Sequence, residues 1–324
     1  MDTSEIASDA KPETVVVPMS KPLLQRLVPY LLIAPTLILV FTFTIWPVTQ
    51  TIQASMHEPG RATRDDAGRR VPGEPTFVGV DNYTALFDST HFLGRRFPRV
   101  LTNTIFFTTA TVVVGLPLAL GFALLINRPM RGLGLWRFGF FYTVLLPLIG
   151  AANIWAFMFA NTTGVINTVL GAFGISGQDW LGNPQLVIFS LVLVNIWKQT
   201  GFFMIFYLAA LQNTPRDIYE AAELDGGGYF TTLYYLTLPL LRRTSLFLVI
   251  VSSTYAFQTV EQLEALNRGQ PADRGNLLLY FIFQNLGSSS NMGYVNAMTV
   301  ILIGLLLVFT VSNFIVFEGR SEDE

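Results

Sequence analysis

Six long apolar runs constrain this chain more than any other feature: residues 28–51, 101–126, 138–160, 185–211, 245–260 and 292–317. A helix needs ~20 mostly apolar residues to cross the hydrocarbon core of a bilayer, and these runs approach or exceed that length. Within such a segment a helix satisfies its own backbone polar groups, which the lipid cannot do. The composition agrees. Hydrophobic residues make up 51% of the 324 and charged residues 13%, with a mean hydropathy of +0.48, more apolar than a water-facing surface tolerates. The predicted fold class is an all-α polytopic membrane protein with six transmembrane helices.

The polar residues exclude several functions. A net charge of -2 leaves no basic surface for nucleic acid. Cysteine is absent, and His57 and His91 are the only histidines, so no metal site or thiolate nucleophile is expected. The only lysines are Lys11, Lys21 and Lys198, none preceded by glycine, so the chain lacks a phosphate-binding G-x-x-x-x-G-K-[ST] loop. If ATP drives this protein, another chain binds it. The span cores hold essentially no Asp or Glu, which argues against a membrane enzyme and against a stand-alone secondary transporter with a coupling carboxylate.

Residues 1–27 carry Pro12, Pro18 and Pro22 among mixed charges and read as a disordered tail. The next apolar run is too long for a signal peptide. Residues 28–317 form the membrane domain and 318–324 a second, acidic tail. The first loop, residues 53–99, has turn signals at Pro59-Gly60, Ala67-Gly68 and Pro72-Gly73, followed by a short helix lying on the outer membrane surface. Residues 161–184 form a Gly- and Asn-rich loop. Residues 261–291 form a polar loop expected to dip back into the protein.

One polar stretch between the fourth and fifth runs is unlike the other connections: TPRDIYEAAELDGGGYFTTLYYLTLP, Thr214 to Pro239. Thr214 can cap a helix and Pro215 suits its first position. Gly226, Gly227 and Gly228 must break that helix, and a second apolar helical run follows. The predicted element is helix, sharp turn, helix, held at a membrane surface. It has no catalytic residue set, which suggests a mechanical docking piece.

Glu220-Ala221-Ala222, three residues, Gly226, nine residues, then Leu236-Thr237-Leu238-Pro239 resembles the EAA loop of ABC-importer permeases, with Leu236 the one conservative departure. The resemblance implies the type I importer fold. It implies that Glu220, Ala221, Ala222, Asp225, Gly226, Leu238 and Pro239 couple the chain to ATPase subunits. It also implies partners: a second permease subunit, two ABC ATPase subunits that hold ATP and Mg, and an extracytoplasmic solute-binding protein. The setting would be a bacterial or archaeal cytoplasmic membrane.

Polar residues deep in a span are costly, so they face a cavity or a partner. On the fourth span Asn195, Lys198, Gln199 and Phe202 fall at helical spacing. A lysine at mid-span costs ~2.5–3.5 kcal/mol on insertion scales. It could contact solute, snorkel, or pair with a carboxylate of a partner subunit. On the fifth span Ser252, Tyr255, Gln258 and Thr259 recur at helical spacing. Hydroxyls with an aromatic face suit a sugar; interhelical hydrogen bonding is the alternative. Asn153 and Trp155 in the third run are weaker candidates, and Trp155 could simply pack.

The resemblance extends to importers of the maltose type through Leu193-Val-Asn195-Ile-Trp197 and on to Glu220. That family's sugar-contacting positions fall on Asn195, Lys198, Gln199 and Phe202, and then on Ser252, Tyr255, Ala256 and Thr259. Asn195 and Ser252 keep the residue type and Tyr255 keeps an aromatic; the others depart. Elsewhere Pro29-Tyr-Leu-Leu-Ile-Ala-Pro35, Ile45-Trp-Pro47, Trp197-Lys-Gln199 and Ala209-Ala-Leu-Gln212 are similar to glycerol-3-phosphate importers, and a pathway lysine would suit such an anionic solute. Arg268-Gly-Gln-Pro271 and Leu277-Leu-Leu-Tyr280 resemble the same family's Gly-Gly-Pro loop.

Orientation follows the Lys/Arg bias. The short loops carry Arg128, Arg131, Arg137, Arg216, Arg242 and Arg243 on the side of both tails, which places both termini in the cytoplasm. The first loop opposes this with seven arginines, Arg61, Arg64, Arg69, Arg70, Arg95, Arg96 and Arg99, but six acidic residues share it.

Overall fold

A computed structural model describes residues 23–64, 70–128, 131–288 and 291–318. The expected acidic tail from residue 319, and residues 1–22 of the expected N-terminal tail, lie outside the described residues. Two compact units divide the chain, residues 1–50 and 51–324.

The first described element is a long apolar helix that runs through the first unit and five residues past its boundary: α1 (Leu23–Val40), a π turn at Phe41–Ile45, and α2 (Trp46–Ser55). The π turn has a local cause. Trp46 donates its N–H to Phe41 O, five residues back, and the next residue is Pro47. Proline has no N–H and its ring needs the space a preceding carbonyl would fill; the wider turn yields that space. The same arrangement recurs where Leu238 donates to Leu233 O immediately before Pro239.

The second unit continues with an antiparallel hairpin, β1 (His57–Arg64) and β2 (Arg70–Phe77), pairing His57 with Phe77 and Arg64 with Arg70. This corrects the expected run of turns. Pro59-Gly60 and Pro72-Gly73 lie inside the strands, where Gly60 faces Gly73 at a register shift. A Cβ on Gly60 would come 2.3 Å from the Gly73 backbone, so the glycines allow the close approach of a bulge. Ala67-Gly68 lies outside the described residues. The expected short helix is α3 (Asp81–Ala85). It is tied back to the preceding segment: the buried Asn82 amide donates to Ser55 O (2.8 Å) and His57 O (3.1 Å).

The membrane helices follow: α4 (Phe97–Ile126), α5 (Leu133–Leu145), α6 (Leu148–Met158), a short α7 (Val165–Ala172) and α8 (Val187–Gln212). After them come α9 (Arg216–Leu224), α10 (Tyr229–Thr232), a π turn at Leu233–Thr237, α11 (Leu238–Leu240) and α12 (Arg242–Phe257). The chain closes with α13 (Glu261–Leu266), α14 (Leu278–Asn285) and α15 (Met292–Glu318). Among the described residues, 4 helices are long and apolar enough to cross a membrane, or up to 6 if each bent pair is one span.

The third run, expected as one span, is α5 and α6 bent by 102°. Leu146 precedes Pro147 and is driven to extended backbone (ψ 131°), because the proline ring disfavours a helical residue before it. The fifth run begins earlier than expected, at Arg242, and the helical segment before it, residues 229–240, is bent 68° away.

α4 and α8 pack along each other as the axis of this unit. Phe107 and Leu191 are buried between them at one level, Phe203 and Met204 at another. The 261–291 loop does dip back, with Gln262, Leu263, Asn276 and Leu277 almost fully buried. α4 ties it down. Arg96 donates to both carboxylate oxygens of Asp273 (2.6 and 2.8 Å), and Arg99 to Ala272 O (3.0 Å). The Asn103 amide reaches three carbonyls, those of Asp273, Arg274 and Asn276 (2.7, 3.0 and 3.1 Å).

Candidate solute pathway and coupling helix

α8 carries Asn195, Lys198, Gln199 and Phe202 on one face, but each of the three with a described contact turns to a different neighbour. Asn195 is 2% exposed and its amide points to Gln262 Oε1 at 3.5 Å; its own Oδ1 is buried with no partner. Lys198 donates to Thr143 O (2.7 Å) and Val144 O (3.0 Å) at the end of α5. Phe202 meets Tyr255 of α12 edge to face, ring centroids 6.2 Å apart. Gln199 is half-buried.

The lysine contact follows from the break in the third span. A helix end leaves its last carbonyls without intrahelical donors, and those carbonyls carry the negative end of the helix dipole. The turn at Pro147 ends α5 in the middle of the third apolar run, and the Lys198 ammonium supplies donor and charge together. The backbones approach closely one turn further on: a Cβ on Gly201 would lie 2.2 Å from Phe140 O, so only glycine fits there.

α12 contributes Ser252 and Tyr255; Gln258 and Thr259, expected on the same helical face, lie past its end at Phe257. Ser252 is 2% exposed and its hydroxyl has no partner. Thr259 is buried and donates back to Tyr255 O (3.1 Å). Tyr255 and Gln258 are exposed. Two helices in contact, α8 and α12, therefore each hold an orphaned buried polar oxygen, on Asn195 and Ser252. Buried polar atoms are nearly always paired, so each orphan calls for an explanation such as an absent ligand.

The weaker candidates separate. Trp155 packs, with its ring 5.2 Å from Phe159 and 5.7 Å from Trp197 in a buried cluster. Asn153, two residues earlier on α6, is exposed. Sequence reasoning missed Gln262, which is fully buried and also donates to Leu191 O (2.7 Å).

Beyond the spans, electrostatics rigidify the 261–291 loop. Burial pushes the Asp273 carboxyl up, but hydrogen bonds from Arg96 and Asn276 and the charges of Arg96 and Arg99 outweigh it, and the net shift is downward. The bond to Asp273 holds the Arg96 guanidinium above its usual range. Tyr280 donates to Glu264 Oε2 (2.5 Å), joining α14 to α13; burial first, then that carboxylate, push the phenol up to about 12.

The 214–239 stretch is helix, glycine turn, helix as expected. α9 starts one residue later than expected: Pro215 is its N-cap, and Thr214 instead donates its hydroxyl to Ala210 O (3.2 Å) in α8. Gly226 takes φ +80°, a conformation that favours glycine, and Gly227 N–H closes the turn on Ala222 O (2.9 Å). Among the residues of α9 none is buried, and Leu224 is 89% exposed at its end. This is an amphipathic helix with its apolar side uncovered.

Comparisons with known proteins place this geometry. Residues 92–318 match the family described as binding-protein-dependent transport system inner membrane component. The chain is 32% identical over 285 residues to the sulfoquinovosyl glycerol transport system permease protein of Agrobacterium fabrum, covering 88% of each. It is 32% identical over 298 residues to the sn-glycerol-3-phosphate transport system permease protein of Escherichia coli, covering 91% of this chain and 95% of that one. Among solved structures, a chain of a bacterial alginate ABC transporter in complex with a pentasaccharide-bound periplasmic protein superimposes with a TM-score of 0.74 at 20% identity, over 90% of this chain and 96% of that chain.

Proposed function

The chain belongs to the family of binding-protein-dependent transport system inner membrane components, and from that premise we propose that it forms half of the translocation pathway of an ATP-driven importer for a sugar or sugar-like solute. A second, different permease completes the pathway. Two ATPase subunits bind ATP and Mg, and a binding protein delivers solute from outside. Both termini then lie in the cytoplasm.

One observation carries the reading. α9 is an exposed amphipathic helix ending in a turn that Gly226 makes at φ +80°. Such a helix fits a groove on another protein, read through its apolar side. Glu220, Ala221, Ala222 and Asp225 would meet the ATPase. Leu238 and Pro239 lead into α12, so a displacement of α9 is passed to the helix that holds Ser252 and Tyr255.

The solute side rests on the orphaned oxygens of Asn195 and Ser252 and on the Phe202–Tyr255 aromatic pair, carried by the same two elements, α8 and α12. Acceptors and an aromatic face suit a polyhydroxylated solute. The relatives' solutes include a phosphate and a sulfonated glycoside, so an anionic sugar derivative or polyol is the second reading. Lys198 gives two of its three N–H donors to carbonyls and keeps one with its charge, so it is compatible with that second reading. The test is ATPase activity of the purified assembly with its binding protein and a panel of sugars, glycosides and glycerol phosphates. Stimulation by one carbohydrate-like solute is expected; stimulation only by a solute of another class overturns the assignment.

A further inference from the structure

A groove of about 370 Å3 opens among α4, α5 and α8, lined by Leu118, Phe122, Trp136, Phe140, Leu193 and Trp197. Its two hydroxyls are committed elsewhere: Thr143 donates to Phe140 O (2.9 Å) and Thr200 to Ile196 O (2.6 Å). Apart from the indole N–H groups of Trp136 and Trp197, the walls offer hydrocarbon and aromatic rings. A cavity of that kind takes an apolar occupant. Leu118, Trp136 and Leu193 are exposed along it, so it opens on the outer side of the helices that form it. From Leu193 to Gly201 it follows α8 for about 12 Å, at 1.5 Å per residue, a length suited to an extended acyl chain.

Trp136 lines the groove on α5, between Arg137 of the same helix and the preceding connection that carries Arg128 and Arg131. Arg128 is engaged over the ring of Tyr229, 5.0 Å from its centroid. Arg137 has its Nε buried with no hydrogen-bond partner. An anionic headgroup supplies that partner, and tryptophan is a usual neighbour at headgroup depth. We propose that this groove binds one anionic phospholipid of the cytoplasmic leaflet, with an acyl chain along α8 and its phosphate at Arg131 and Arg137. The leaflet rests on the orientation proposed above; the site does not. The acyl chain lies against the α5–α8 contact that Gly201 and Lys198 hold together, so the lipid supports the broken third span from outside.

Gly139 provides the test. A Cβ there meets nothing within 4 Å, so Gly139→Phe fills the groove without displacing a neighbour. The assembly, purified with the subunits that co-isolate with it, is supplied with phosphatidylglycerol or phosphatidylcholine, and retained lipid is counted by native mass spectrometry. The wild type should retain phosphatidylglycerol in preference, and Gly139→Phe should lose it. Arg131→Gln with Arg137→Gln should reduce the preference for phosphatidylglycerol by roughly tenfold while leaving acyl-chain binding. A benzophenone photoprobe in place of Trp136 gives an independent readout in a chain whose groove is still open, and it should yield a phospholipid adduct. Equal retention of both lipids overturns the proposal, as does unchanged retention by Gly139→Phe. A photoadduct to another subunit overturns it too, since a protein helix would then fill the groove.

Discussion

The ammonium of Lys198 lies 2.7 Å from the carbonyl oxygen of Thr143, at the point where the third span breaks. A lysine in a span reads from sequence as a solute contact or as a charge seeking a carboxylate. Here it neutralises the end of a helix that Pro147 cuts short in the middle of an apolar run. The charge and the break account for each other: without the break no carbonyls would be free, and without the lysine they would face hydrocarbon.

Lys198→Met therefore should destabilise the protein. Hydrogen bonds to charged groups contribute about 1.5–3 kcal/mol each, and two are lost. The expected result is a lower melting temperature with a solute KM close to wild type. An unchanged melting temperature with a raised KM would show instead that the lysine reads the solute.

Gln262→Leu should destabilise by about 1–3 kcal/mol, because it removes a buried hydrogen bond to Leu191 O and takes away the partner of the buried Asn195 amide. Gln258→Leu, four residues earlier and exposed, should stay within about 0.5 kcal/mol. Thermal unfolding of the two variants side by side checks this; equal effects would remove the role given to Gln262.

Much of the fold was legible in the sequence. The apolar runs located the spans to within a few residues, and Gly226 announced its turn, because glycine has one physical use there. What escaped were features set by distant contacts. Pro147 lies inside an apolar run long enough for one span, and nothing near it in sequence reveals that Lys198, on another helix, meets the carbonyls a full break exposes. The hairpin at His57–Phe77 was hidden because Pro59-Gly60 and Pro72-Gly73 are turn signals that here form a bulge. Gln262 lay in a polar loop, and its burial depends on α13 packing against α6. Helical spacing placed Asn195, Lys198 and Phe202 on one face, yet could not tell that three different elements meet that face.

The Arg96–Asp273 pair should make the 261–291 loop acid-sensitive in a defined sense. The folded Asp273 carboxyl titrates below its ordinary value of 3.8. Its contribution is therefore fully present above that value and is lost as pH falls through the lowered one. Hydrogen-exchange protection of residues 267–277, corrected for intrinsic rates, should hold at neutral pH and fall only in strong acid. Asp273→Asn should show weakened protection at neutral pH and little further loss in acid. Protection that already collapses near pH ~6, where histidines titrate, would contradict the assignment.

Ser252→Ala separates solute binding from packing. Its hydroxyl has no partner, so removing it should leave stability unchanged or slightly raised. If the hydroxyl meets solute, uptake should still weaken, with KM raised by about tenfold for one lost hydrogen bond of ~1.4 kcal/mol. Tyr255→Phe should keep more uptake than Tyr255→Ala, since the aromatic face is retained. A destabilised Ser252→Ala with normal KM would make the serine a packing residue.

The coupling role of α9 is tested most directly by the ratio of solute taken up to ATP hydrolysed in proteoliposomes that contain the complete assembly, comparing wild type with Glu220→Lys and Gly226→Asp. Gly226→Asp places a side chain on a backbone at φ +80°, and Glu220→Lys reverses charge on the exposed helix. The account predicts that both variants reach the membrane with their solute path intact and that uptake per ATP falls toward zero. A wild-type ratio in both variants would contradict it.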